Sequence, residues 1–159
     1  RTRTYTSSIV KQQTPYYEAI PEIVENYMGE INKITGRDYH LFNYYGCPDA
    51  EEVIIAMGSV DGVIRETVDY LNAHGRKTGY LQVHLYRPFS IKHFLSAIPE
   101  TVKRIAVMDR TKEPGAAGEP LYEDVCSVIL ESGRKYQGFS MPLWSGKQGL
   151  YSRPGYRTV

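Results

Sequence analysis

The chain has 159 residues, 42% of them hydrophobic and 23% charged, with 19 Lys plus Arg against 18 Asp plus Glu for a formal net charge of +1. That length fits one domain with a real core, and the near-cancelled charge gives no electrostatic case for a nucleic-acid or acidic-membrane partner. No apolar run approaches the roughly 20 residues that span a bilayer, and Arg1-Thr2-Arg3-Thr4-Tyr5-Thr6 has no apolar stretch behind it to make a secretory signal. Two cysteines, Cys47 and Cys126, stand far apart without metal-type company, which points to a reduced, intracellular protein.

Residues 1–14 are polar and unpatterned and read as a tail or linker. Residues 15–48 read as a linker helix and connecting arm. Thr14 before Pro15 suits a cap followed by proline at the first helical position. Tyr16, Ile20, Ile23, Val24, Tyr27, Ile31 and Ile34 recur at helical spacing until Gly36, with Pro21 expected to kink or restart the helix. Tyr39 to Tyr45 alternates weakly, as an edge strand or an arm lying on a neighbour.

From Asp49 a strict alternation begins, and residues 49–144 read as the α/β domain. Val53-Ile54-Ile55-Ala56-Met57 is a buried-strand run, and Gly58-Ser59 turns it into a helix marked by Val60, Val63, Ile64, Thr67, Val68 and Leu71. Tyr80 to Tyr86 is a second extended run, stopping at Arg87-Pro88. Ser90 is placed to cap a short helix with Ile91, Phe94, Leu95 and Ile98 on one face. Ile105-Ala106-Val107-Met108 is the third strand, ending at Asp109-Arg110. The segment Asp109 to Glu119 holds Pro114, Gly115 and Gly118 and reads as a long ordered turn, after which Pro120 opens a last helix closed by Gly133. Residues from Gly138 to Trp144 suit a final strand that Pro142 confines to an edge. Residues 145–159 form an irregular tail. Continuous apolar strands joined by amphipathic helices predict a three-layer α/β fold. Its mostly parallel sheet has about five strands, with helices on both faces.

Chemistry is sparse. The Gly58-Ser59 turn lies where a phosphate is often received, but Gly58, Asp61 and Gly62 do not make the dinucleotide fingerprint, so it reads as a tight turn with Ser59 as helix cap in preference to a phosphate site. Arg87 and Asp109 fall at carboxyl ends of strands, the edge where open parallel sheets bind ligands. With Arg110, Lys112 and Glu113 they form a polar rim. It serves as an interdomain contact surface, as a small-molecule site, or as a set of loop ion pairs. His40, His74, His84 and His93 have no metal-type spacing and read as satisfied polar histidines. The residues alone show no catalytic set.

Longer stretches carry a resemblance. Pro15-Tyr16-Tyr17-Glu18-Ala19, Ile34 to Tyr39, Tyr45-Gly46-Cys47-Pro48-Asp49-Ala50-Glu51, Val53 to Val60 and Thr67 to Asn72 are followed by Leu85-Tyr86-Arg87-Pro88-Phe89-Ser90 and by Asp109 to Tyr122. Together they closely resemble the second domain of pyruvate:ferredoxin (flavodoxin) oxidoreductase, which is similar to the carboxyl-terminal domain of transketolase. The resemblance covers about Thr14 to Leu130. It implies a non-catalytic structural domain of a much larger, dimeric enzyme of the cytoplasm, or of an anaerobic energy organelle. That enzyme oxidatively decarboxylates pyruvate to acetyl-CoA with thiamine diphosphate, magnesium and iron–sulfur clusters, and passes electrons to ferredoxin or flavodoxin. No catalytic residue of the family maps onto this chain, and the chain is expected to bind none of those cofactors and to be inactive alone. It lacks the Gly-Asp-Gly diphosphate segment, and two cysteines are too few for a four-cysteine cluster. Asp61 stands where the family is expected to place a small residue or cysteine. The residues from Gly138 onward do not align with the family's Gly-Gly-Arg-Tyr-Gly-Leu strand. Two other readings are open: a free-standing α/β ligand-binding or interaction module, and a small subunit of a split oxidoreductase.

Overall fold

A computed structural model describes the backbone of residues 3–111 and 113–140, with side chains described over 15–111 and 113–138. Five strands form one sheet: β1 (Phe42–Gly46), β2 (Glu52–Met57), β3 (Thr78–Val83), β4 (Arg104–Val107) and β5 (Gly138–Ser140), in the order β1-β3-β2-β4-β5. The helices are α1 (Arg3–Thr35), α2 (Asp61–Ala73), α3 (Ile91–Ala97) and α4 (Pro120–Ser132). Strands β2 to β5 pair in parallel, and β1 pairs antiparallel with β3. The aromatic segment before Gly46 is therefore an edge strand, and it starts the sheet at Phe42, five residues upstream of Cys47. The expected last strand is present as β5; Met141 to Trp144 lie outside the described residues.

Strand alternation divides the core into two faces. Val53, Ile55, Leu81, Val83, Ile105 and Val107 pack with Phe94 and Ile98 of the α3 region and with Leu121, Val125 and Val128 of α4. Ala56 and Tyr80 point the other way and meet Ile64 and Val68 of α2, with Ile54 and Met108 beside them. Helices thus cover both faces of a mostly parallel sheet, as the sequence pattern predicts. The chain steps from β2 through α2 to β3, then reverses over β2 through α3 to β4. Reversing direction while keeping crossovers right-handed puts α3 on the opposite face from α2. Phe42, Phe89 and Phe94 interlock on that face with ring centroids 5.2–5.6 Å apart.

Two glycines let the edge strand close on its neighbour. At Gly46 (φ 113°) a Cβ would sit 2.7 Å from the Thr78 carbonyl oxygen, and at Gly79 it would collide with the Tyr44 phenol. Their mutual pairing across β1 and β3 leaves that space for the Tyr44 ring.

α1 departs from expectation. One helix runs from Arg3 to Thr35 through both Pro15 and Pro21, where the sequence suggests a start at Pro15 and a break at Pro21. An interior proline removes one hydrogen bond at a cost of about 3 kcal/mol, which a long helix anchored elsewhere can absorb. Pro21 is buried, and Val24 and Met28 pack on the core. The remaining anchors are polar. Glu25 accepts from the Leu41 N–H at 3.0 Å and from His40 Nδ1, while Asn32 donates to the Tyr39 carbonyl at 2.9 Å and accepts from its N–H at 2.7 Å. Lys92 of α3 reaches Glu22 at 3.0 Å.

The Glu25 hydrogen bond, aided by Asp38 at 3.0 Å, raises the pKa of His40 above the ordinary imidazole value despite an opposing desolvation effect. A raised folded-state pKa means that the contribution is complete below about pH 6.5 and fades as pH climbs through the elevated value. Thermal denaturation from pH 6 to 8.5 should therefore show wild type losing stability more steeply than His40→Gln. Parallel profiles for the two proteins would contradict this clasp.

Candidate functional site

The carboxyl ends of β2 and β4 diverge at the point where the chain reverses over β2, the position at which open α/β sheets form a crevice. Here a cleft of about 230 Å³ is lined by Met57, Ser59, Val60, Val63, Met108, Asp109 and Arg110. Gly58 (φ 79°) makes the tight turn into α2 as expected. Ser59 does not cap the helix, however: Val60 occupies the cap position, no side chain caps it, and the Ser59 hydroxyl instead accepts from Arg110 Nη1 at 3.3 Å. Asp61 is half-buried and pairs with Arg65 one turn later at 2.8 Å, which accounts for a charge at that turn.

Asp109 faces inward at 7% exposure. One carboxylate oxygen accepts from the Thr111 N–H at 3.0 Å, and the other accepts from the Leu121 N–H at 2.8 Å in the first turn of α4. Glu119, 2% exposed, accepts from the Glu113 N–H at 2.9 Å, and Glu123 accepts from the Gly118 N–H at 3.1 Å. Three carboxylates thus stitch the long turn to its own backbone. Asp109 is more a keystone of this loop than a contact, because little of it reaches the surface.

Arg87 lies over the Tyr86 ring at 4.0 Å and pairs with Asp124 of α4 at 2.6 Å, joining the β3–α3 loop to α4. Burial first, then a hydrogen bond to Asp124, pushes the Tyr86 phenol up to about 12. Arg110 is exposed at the rim and has no carboxylate partner among the described residues. Glu113 is exposed beside it, and Lys112 lies outside the described residues. Arg110 and Asp109 are thus brought to one cleft, Arg87 belongs to a separate contact with α4, and Glu119 and Glu123 are loop-holding residues that spacing did not single out. A carboxylate six residues from the N–H it binds leaves no periodic signature.

The cleft has apolar walls from Met57, Val60, Val63 and Met108, with Ser59, Asp109 and the Arg110 guanidinium as its polar residues. The histidines are occupied elsewhere: His93 Nδ1 with Ser90 Oγ at 2.7 Å, His84 Nδ1 with the His40 carbonyl at 2.8 Å, and His74 Nδ1 with the Tyr70 carbonyl at 2.7 Å. The Ser90 hydroxyl is therefore spent on His93 and not on the α3 cap where the sequence places it. Burial raises the Cys126 thiol, and a hydrogen bond to Asp49 raises that of Cys47, so both are held away from the reactive thiolate. Among the described residues no group of three His, Cys, Asp or Glu is disposed to hold a metal ion.

Residues 50–141 match the family described as pyruvate:ferredoxin oxidoreductase core domain II. The chain belongs to the pyruvate:ferredoxin oxidoreductase family. It is 64% identical over 117 residues to a pyruvate-flavodoxin oxidoreductase of Enterobacter agglomerans, a match covering 74% of this chain and 10% of that protein. It is 53% identical over 139 residues to the pyruvate:ferredoxin oxidoreductase of Moorella thermoacetica, covering 87% of this chain and 11% of that one. A solved 2-oxoglutarate:ferredoxin oxidoreductase from Magnetococcus marinus aligns with 72% of this chain and 18% of its own at 19% identity, with a TM-score of 0.45, too distant to carry an argument. The chain spans about a tenth of the length of the relatives it matches and is a domain-sized piece covering core domain II.

The loop geometry sets an expectation. Asp109→Ala removes acceptors from two backbone N–H groups and should cost about 1–3 kcal/mol in urea unfolding, whereas breaking the half-exposed Arg87–Asp124 pair by Arg87→Ala should cost about 1 kcal/mol or less. An Asp109→Ala protein as stable as wild type would contradict the keystone role.

Proposed function

We propose that this chain is a non-catalytic structural domain of a thiamine-diphosphate-dependent pyruvate:ferredoxin or flavodoxin oxidoreductase. In the whole enzyme it supports the oxidative decarboxylation of pyruvate to acetyl-CoA. The observation that carries this reading is the 64% identity to a pyruvate-flavodoxin oxidoreductase of which the chain spans only a tenth. Thiamine diphosphate, magnesium and iron–sulfur clusters belong to other parts of that enzyme, as do the electron-accepting contacts with ferredoxin or flavodoxin. The enzyme is dimeric and cytoplasmic in this reading. Among the described residues no helix is long and apolar enough to cross a membrane.

The domain's own work is geometric. Arg110 and Glu113 offer an exposed polar rim to a neighbouring domain, held in shape from beneath by Asp109 and Glu119, and Lys112, between them in sequence, is proposed for the same contact. Arg87 contributes at the adjacent α4 corner. The reading of a free-standing binding module rests on the cleft beside Arg110.

The test is an assay of the purified 159-residue chain with pyruvate, CoA, thiamine diphosphate and magnesium, using reduction of a viologen dye as readout. No pyruvate- and CoA-dependent reduction is expected. Dye reduction that requires both substrates would place chemistry in this domain and overturn the structural reading.

A further inference from the structure

The outward face of α1 is apolar along most of its described length. Tyr16, Ile23, Tyr27, Ile31 and Ile34 are 75, 49, 65, 46 and 84% exposed. At 100° per residue these five fall within about 80° of arc, and they extend for about 27 Å along the axis. They are not the residues that seat α1 on its own domain, which are Pro21, Val24 and Met28 with the polar anchors Glu25 and Asn32. A surface that leaves two tyrosines and three isoleucines in one continuous stripe marks an interaction site rather than ordinary scatter.

The spacing says what kind of surface fits. Tyr16, Ile20, Ile23, Tyr27 and Ile34 follow steps of four, three, four and seven, the seam of a helix that packs lengthwise against another helix at a shallow angle. Within that seam Glu30 occupies the place where the next apolar residue would fall. Its carboxylate is exposed and has no hydrogen bond or ion pair to any described residue. A covering helix must therefore bring a Lys or Arg to this level, because burying an unpaired carboxylate is costly.

A second copy of α1 does not meet that demand. Side by side and parallel, Glu30 faces Glu30. Antiparallel about the middle of the stripe, Glu30 falls beside Ile20. A register that sets Glu30 against Lys33 leaves only about the last two turns overlapping. The relatives, in contrast, carry about nine-tenths of their length outside the matched region.

We infer that the α1 stripe is the seat of an amphipathic helix from another domain of the same oxidoreductase polypeptide, with an apolar seam and one basic side chain opposite Glu30. This rests on the reading of the chain as one domain of a larger oxidoreductase. It adds a contact separate from the Arg110 rim, on the amino-terminal side of the domain.

The experiment uses the full-length oxidoreductase with a benzophenone amino acid at position 27, together with hydroxyl-radical footprinting of Tyr27 in the unsubstituted enzyme. Crosslinks are expected within one polypeptide, to a peptide outside these 159 residues that carries a Lys or Arg within a turn of the attachment point. Tyr27 should be labelled at least fivefold more slowly than in the urea-unfolded enzyme. Glu30→Lys should speed that labelling at least threefold, and Glu30→Gln should do so less. Crosslinking between two polypeptides at position 27 would assign the stripe to a second copy and overturn the inference. Labelling of Tyr27 at the unfolded rate in a large native polypeptide would overturn it as well. A native polypeptide no larger than this chain would instead defeat the reading on which the inference rests.

Discussion

The structure depends on β2 being paired in parallel on both of its edges, to β3 and to β4. A strand with neighbours on both sides and helices on both faces has no water to satisfy its backbone, so its side chains must be apolar in both directions. Val53, Ile55 and Ala56 meet that demand at 0–1% exposure. Parallel pairing then forces each link through a helix. It also gathers the β2–α2 and β4–α4 connections at one edge, where the Met57–Met108 cleft opens. The cleft beside Arg110 is a consequence of that pairing.

What the edge displays among the described residues is order. Asp109, Glu119 and Glu123 spend their oxygens on backbone N–H groups, so the long turn from Asp109 to Glu119 is a built surface held from within. Arg110 stays outside it at the rim of the cleft, donating to the Ser59 hydroxyl and without a carboxylate partner among the described residues. Such a combination suits the proposed contact with a complementary surface. α1 adds a second surface of different character, joined to the domain through a buried proline, two apolar side chains and a polar clasp, with its larger apolar residues turned away. With the two contacts proposed above, the domain suits a part whose task is to set the positions of others.

Much of the fold is readable from residues because the core strands and α2, α3 and α4 have the right period and clean punctuation. Val53 to Met57 is apolar without interruption, Pro120 and Gly133 bracket α4, and Gly58 sits where only a positive φ makes the turn. α1 was harder. Two prolines are local stop signals, yet tertiary anchoring through Pro21, Val24 and Met28 overrides them. β1 is short and half-exposed, so its alternation is weak, and only its pairing with β3 defines it. At the site, sequence placed Asp109 and Arg110 on the correct edge. It did not reveal that one turns inward and the other outward, because that depends on where Thr111 and Leu121 fold back. Ser59 was assigned to a cap by residue type, but Arg110 from 51 positions away takes its hydroxyl.

The most direct measurement is the intact mass of the native polypeptide that carries this sequence, taken before any trimming. The account requires a mass several-fold above the 18.1 kDa of these 159 residues, with the cofactor-bearing domains in the same polypeptide. A native mass near 18.1 kDa, with no larger partner co-purifying, would contradict it and make this a domain with a function of its own.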